Sequence, residues 1–173
     1  DITENWFQNV KEELQKLGLE VIAENMPDSD LARKEYWLPF IKEKLSTEDA
    51  ILIGHTSGAV AILRYLEENK CQLAILVGAC YTDLGDDREK KSGYFDGSWQ
   101  WDKIKSNAKK IVLFASRNDP YIPISEALFI KYKIEPEYHE YSDEGHFGSD
   151  VNKTEFPEII TVVKKFVKRQ GKT

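Results

Sequence analysis

The 173-residue chain is short of the residues that build most alternative chemistries: it has two cysteines, three histidines and one methionine. Cys71 and Cys80 form neither a CxxC pair nor a disulfide framework, so they are expected as reduced thiols in or near a core. No apolar run approaches the roughly 20 residues that span a bilayer. No apolar segment near the N-terminus reads as a signal peptide. The expected compartment is therefore the cytoplasm, with the nucleus as a second. Basic charge is also in deficit, with 24 Lys and Arg against 30 Asp and Glu, a net charge of -6 and a pI near 5.2. That balance argues against nucleic acid or an anionic membrane surface as a partner. No spacing of His, Cys and carboxylates suggests a metal site. Neither G-x-x-x-x-G-K-[ST] nor G-x-G-x-x-G is present, so no cofactor is expected.

What the chain does contain is an alternation of helical and strand patterns, which suggests a mostly parallel sheet with helices on both faces, in one domain over residues 1–173. Trp6, Val10, Leu14 and Leu17 recur at helical spacing over residues 3–17, and Gly18 closes that helix. Leu19–Ala23 reads as a short strand and residues 30–45 as a second helix. Strands are expected over 50–53, 73–79 and 110–115, with an alternating outer strand from Glu135 to Tyr141. A helix opens just after the first of these and runs to about Asn69. Another short helix follows Trp99-Gln100-Trp101. Thr154–Lys168 is a closing helix, with Pro157 tolerated in its first turn. The count is about five strands, and the first element is a helix. A doubly wound sheet of this kind begins with a strand, expected beside the 50–53 strand. The chain also begins at Asp1 rather than Met, so a fragment or a processed product is expected.

The most specific stretch is Gly54-His55-Thr56-Ser57-Gly58. It stands between the apolar run Ala50–Ile53 and the helix start Ala59–Leu63, the strand–turn–helix context in which G-x-S-x-G is an α/β-hydrolase nucleophile elbow. Thr56 is at the apex, and Ser57 falls one place too late. The remaining groups follow in the order nucleophile, acid, base. Asp119, in Ser116-Arg117-Asn118-Asp119-Pro120 directly after a strand, is the candidate acid, with Asp143 as a weaker substitute. His146, in Glu144-Gly145-His146-Phe147, is the candidate base. His139 falls in the outer strand and reads as a surface residue.

The chain resembles the retinoblastoma-binding protein 9 family of small α/β-hydrolases, described as serine hydrolases. The matching residues are Asn25-Met26-Pro27-Asp28, Trp37-Leu38-Pro39-Phe40, the elbow, Asp83-Leu84-Gly85-Asp86, Ser92-Gly93-Tyr94-Phe95 and Trp99-Gln100-Trp101. Asp119-Pro120, Gly145-His146-Phe147 and Thr154-Glu155-Phe156 continue the match along essentially the whole chain. The resemblance implies Asp119 and His146 as acid and base, with Thr56 where the family has its nucleophilic serine. Three departures accompany it. Threonine replaces that serine. The family's first strand and Gly-rich loop, which is expected to supply one oxyanion N–H, are missing; Ser57 N–H would be the other. The family's Leu-x-Cys-x-Glu motif should fall near Leu45-Ser46-Thr47-Glu48-Asp49, where neither its Cys nor its Glu is in place, so retinoblastoma-type pocket binding is not expected.

Residues 81–101 are expected to lie over the site. Tyr94, Phe95, Trp99 and Trp101, with His55 of the elbow, are the candidate pocket for an acyl or aromatic group. The expected activity is hydrolysis of a small ester or amide by acyl transfer, impaired by Thr56. The alternative is a non-catalytic binding protein of the same fold.

Overall fold

The computed structural model describes residues 1–45 and 47–171; Ser46, within the Leu45–Asp49 segment considered above, lies outside them. In chain order the elements are α1 (Phe7–Lys16), α2 (Lys34–Lys44), β1 (Ile51–His55), α3 (Ser57–Tyr65), β2 (Cys71–Val77), α4 (Asp87–Ser92), α5 (Trp101–Asn107), β3 (Ala108–Ser116), α6 (Ile124–Ile134), β4 (Glu137–Tyr141) and α7 (Pro157–Gln170), with a 3₁₀ turn at Ser149–Val151. They divide into two compact units, Asp1–Asn25 with Phe147–Thr173, and Met26–His146.

The Met26–His146 unit holds a four-stranded sheet in the order β1-β2-β3-β4, with every neighbouring pair parallel. The register aligns His55 with Val77, Val77 with Phe114, and Phe114 with His139, so the strands end together along one edge. Each strand adds next to its predecessor, and the right-handed crossover rule therefore sends α3, α5 and α6 to one face. There Leu52, Ala74, Leu76 and Leu113 of the sheet share a buried cluster with Ile62, Leu63 and Leu66 of the α3 segment, Ile104 of α5 and Ile130 of α6. The alternate residues Leu73, Ile75, Val77, Val112 and Phe114 are fully buried too, which is why β2 and β3 read as unbroken apolar runs.

The Leu19–Ala23 strand does not form. Those residues are coil, although Leu19, Val21 and Ala23 are half-buried and Glu20 and Ile22 exposed. A strand exists only through its ladder, and here the ladder is absent. Two helices appear where none was expected. Asp86 caps α4 by accepting from the Arg88 and Glu89 amides. The other is α6, which carries buried Ala127, Ile130 and Ile134 behind Pro123.

A second cluster joins Ala32 and Trp37 to Val60 and Ala61 of α3, Cys80 and Tyr94, with half-buried Met26, Phe95 and Ile122 against it. Both cysteines are free and buried. Burial pushes the Cys71 thiol up to about 12. Burial also raises the Cys80 thiol, with Glu126 adding to it. Neither is a thiolate at neutral pH.

The Asp1–Asn25 and Phe147–Thr173 unit pairs α1 with α7. The buried Trp6 indole donates to the Phe147 carbonyl at 2.8 Å and meets the Phe156 ring edge-on at 5.2 Å. Phe147 and Phe156 stack at 5.7 Å. No helix among the described residues is long and apolar enough to cross a membrane.

The segment 94–100 is fastened to the α3 segment by a buried ion pair, Arg64 with Glu67. Arg64 donates to the carbonyls of Tyr94, Asp96 and Ser98 and to both Glu67 oxygens, and its guanidinium lies 3.6 Å from the Trp99 ring centre. Glu67 in turn accepts from the Gln100 amide at 2.8 Å. Removing one member of a buried pair strands the other charge. Arg64→Ala is therefore expected to cost about 3–5 kcal/mol in urea denaturation.

Candidate active site

The site begins where β1 turns into α3. The chain reverses within one residue, Thr56, at φ 50° and ψ -110°. Such a turn forces the strand end against the helix start. A Cβ on Gly54 would stand 2.5 Å from the Gly58 carbonyl carbon and oxygen, so only glycine fits there. The Thr56 amide donates to the Val77 carbonyl at 2.9 Å, extending the β1–β2 ladder through the turn. Thr56 O accepts from the Val60 amide. The amides of Ser57, Gly58 and Ala59 belong to the first turn, whose N–H groups have no intrahelical acceptor, so they present partial positive charge beside Thr56.

Asp119 and His146 meet at the same edge. His146 Nδ1 donates to Asp119 Oδ2 at 2.7 Å, and the side chains are only 13% and 4% exposed. Asp119 Oδ1 accepts from the amides of Tyr121 and Ile122 at 2.8 and 2.9 Å. The carboxylate is thus held by backbone on one oxygen and aimed at the imidazole with the other. With Nδ1 committed, the basic atom of the neutral ring is Nε2.

Gly78, the residue after β2, makes room for that ring. It lies at φ 60°, and a Cβ on it would stand 3.2 Å from His146 Cε1 and 3.9 Å from His55 Cδ2. Since Thr56 bonds to Val77, one residue earlier, the apex and the imidazole share the ends of β1 and β2. His55 Nε2 donates to the His146 carbonyl at 2.7 Å, with ring centres 4.9 Å apart. His55 is thus brought against His146 itself. Tyr121, 63% exposed, meets the His146 ring edge-on at 5.3 Å.

The other expected pocket residues divide. Tyr94 is buried in the second cluster, its hydroxyl enclosed with no hydrogen-bond partner among the described residues, and Phe95 is half-buried against the same cluster. Trp99 lies between the Arg64 guanidinium and Trp101, which stacks on it at 5.1 Å, and its indole donates to Tyr81 O. Trp101 meets Tyr81 and Phe129 edge-on. The two tryptophans line a groove of about 410 Å³ with Gln100, Asp102, Lys103 and Lys133. Lys133 is in the last turn of α6, away from Asp119. His139, half-buried on β4, pairs with Glu137 at 2.9 Å and stacks on Phe114.

Sequence reasoning missed the residues that hold the loops. The Glu144 amide donates to Ser116 Oγ at 2.9 Å, and the Gly145 amide to Asn118 Oδ1 at 2.7 Å. Both acceptors lie in the Ser116–Pro120 stretch, whose Asn and Ser read equally well as local turn formers. Buried Glu126 accepts from the Thr82 amide at 3.1 Å and from its hydroxyl, fastening the segment after β2 to α6.

An elbow, an imidazole oriented by a buried carboxylate, and free helix-start amides together suit acyl transfer. Comparison with known proteins agrees. The serine hydrolase family matches residues 2–165. The chain belongs to the serine hydrolase family. It is 40% identical to the serine hydrolase RBBP9 of Rattus norvegicus, over 95% of this chain and 88% of that protein. The crystal structure of the ydeN gene product from Bacillus subtilis superimposes with a TM-score of 0.87 at 28% identity, covering 96% of this chain and 92% of that one. Est1E from Butyrivibrio proteoclasticus, at 13% identity, shares the fold with a TM-score of 0.72 over 100% of this chain and 84% of its own.

In this serine hydrolase fold Gly78 is expected to be irreplaceable. Gly78→Ala puts a Cβ into the left-handed region and against the His146 ring. It should cost about 1–2 kcal/mol of stability by urea denaturation and lengthen the His146–Asp119 bond in a crystal structure of the variant.

Proposed function

We propose that the chain is an acyl hydrolase of small esters or amides, with Thr56 at the nucleophile position and a turnover below that of a serine-bearing relative. The observation that carries this reading is the His146–Asp119 bond, held beside an elbow whose apex bears a hydroxyl. In the reaction the Thr56 hydroxyl oxygen attacks the substrate carbonyl carbon while His146 Nε2 takes its proton. The tetrahedral oxyanion is held by the Ser57 N–H at the start of α3. His146 returns the proton to the leaving alcohol or amine, and the acyl group stays on Thr56 as an ester. Water activated by His146 then releases the acid. Asp119 stays ionised and keeps the imidazole in the Nδ1–H tautomer. Phe95, Ile122 and Met26, half-buried on one cluster, support an apolar acyl group as the preferred substrate class.

The impairment follows from Thr56 itself. Positive φ is a costly conformation for a β-branched residue, and the added methyl crowds the path of the incoming carbonyl. A threonine hydroxyl is a nucleophile in other enzymes, so the step is slowed rather than forbidden. The same strain favours a second reading, a non-catalytic binding protein that keeps the pocket and has lost the attack. Free, buried thiols in the described residues agree with the reducing cytoplasm as its compartment.

Labelling with a fluorophosphonate probe, with the adduct located by peptide mass spectrometry, separates the two. The chain as it stands is expected to label slowly on Thr56. Thr56→Ser is expected to label faster by about 100-fold, a change of the size seen when one catalytic stabilising contact is gained or lost. It should also hydrolyse a short-chain aryl ester. Two folded proteins that both refuse the probe would establish the binding-protein reading instead.

A further inference from the structure

We infer that His55 is a positioning residue for His146, a tie from the elbow to the base loop that holds the base opposite the nucleophile; this rests on the acyl-transfer reading above. His55 is the last residue of β1 and the chain neighbour of Thr56. Its Nε2 lies 2.7 Å from the His146 carbonyl oxygen. A carbonyl only accepts, so Nε2 carries the hydrogen, in the neutral ring as in the imidazolium. The tie therefore persists whether or not His55 is protonated. It also spends Nε2 on backbone, which leaves His55 to act through His146 rather than on the substrate.

The base loop needs such a tie. Residues 142–148 form only turns and bends, and Phe147, directly after His146, lies at φ 56°, where a side chain is disfavoured. Two of the bonds that hold the loop reach it from the β3 side, Ser116 to Glu144 and Asn118 to Gly145. His55 supplies a bond from the β1 side, to the residue that bears the imidazole. The two histidine rings sit in one notch above Gly78, with centres 4.9 Å apart and planes tilted by 39°. The ring that carries the bond thus also limits how far the His146 ring can swing. Nucleophile and base are in this way fixed to each other through a single side chain.

His55→Leu removes the donor and keeps an apolar body, whereas His55→Gln keeps an N–H at similar reach. Each is made in the chain as it stands and with Thr56→Ser, with folding followed by circular dichroism. Long-range ¹H–¹⁵N correlation spectra of the histidine rings read the His146 tautomer without requiring turnover. His146 is expected in the Nδ1–H tautomer in the parent and in His55→Gln, and as a mixture of tautomers in His55→Leu. With Thr56→Ser, His55→Leu should lower the rate of fluorophosphonate labelling by about 10- to 100-fold, the scale of a small misplacement of a catalytic group, and His55→Gln should restore most of it. Should His55→Leu fail to fold, His55→Asn, whose amide is too short to reach the carbonyl, takes its place.

A folded His55→Leu with an unchanged tautomer and labelling rate would overturn the inference. Equal losses in His55→Leu and His55→Gln would overturn it too, because the ring and not the bond would then matter. If Thr56→Ser fails to label while the His146 tautomer still follows the His55 substitutions, the acyl-transfer reading falls and the positioning role stands.

Discussion

The turn at Thr56 is the constraint on which the site depends. A parallel strand must give way to a helix within one residue, at φ 50°, and Gly54 must come close enough to Gly58 that no side chain fits between them. Because the Thr56 amide is still part of the β1–β2 ladder, the turn is not a loose loop. Its position is inherited from a sheet whose central strands are buried on both faces. The rigidity of the core is thereby passed to the apex hydroxyl and to the amides that follow it. Strain of about 1–3 kcal/mol at such a residue persists only because the surroundings over-determine it.

His146 and Asp119 are held differently, by hydrogen bonds between loops. The Asp119 loop is closed on itself by the Tyr121 and Ile122 amides, and the His146 loop hangs from Ser116, Asn118 and His55. Each of these bonds satisfies a polar group at or near a buried site, where an unmade bond costs more than a made one gains. The His146–Asp119 bond is almost enclosed, so its electrostatic strength is greater than it would be in water. Sheet packing thus fixes Thr56, and a polar network fixes His146.

That division explains what the sequence revealed and what it concealed. The elbow was legible because the strand, the Gly-flanked turn and the helix are contiguous, and each has a local signature. Asp119 and His146 were read from polar turns that follow strands, and the structure brings the two together. The base-loop contacts were not legible. His55 and its acceptor are 91 residues apart, and Ser116 and Asn118 sit in a stretch whose residues make local turns as readily as long-range bonds. Gly78 looked like an ordinary strand end, because the space it leaves is defined by a ring far along the chain. Helix α6 was hidden for another reason: exposed Leu128 and Tyr132 interrupt the apolar face that Ala127, Ile130 and Ile134 bury. Leu19–Ala23 shows the converse error, since its alternation is real but strand formation requires a partner that local pattern cannot supply.

The threonine at the apex affects these two systems unequally. Four hydrogen bonds, to Asp119, Ser116, Asn118 and His55, hold His146 and its loop, and the Thr56 side chain takes part in none of these four. The turn is held by main-chain bonds of Thr56 to Val77 and Val60 and by the absence of a side chain at Gly54. Exchanging serine for threonine at this position therefore adds one methyl to a framework that neither requires nor excludes it. Its direct physical consequence is backbone strain, because a β-branched residue is held at positive φ. Those hydrogen bonds offset the desolvation of the buried groups they join, so the network is stable whether or not the apex residue reacts. The geometry of the His146–Asp119 pair and the identity of the apex side chain are therefore separate physical matters, one of polar satisfaction and the other of strain at a positive φ.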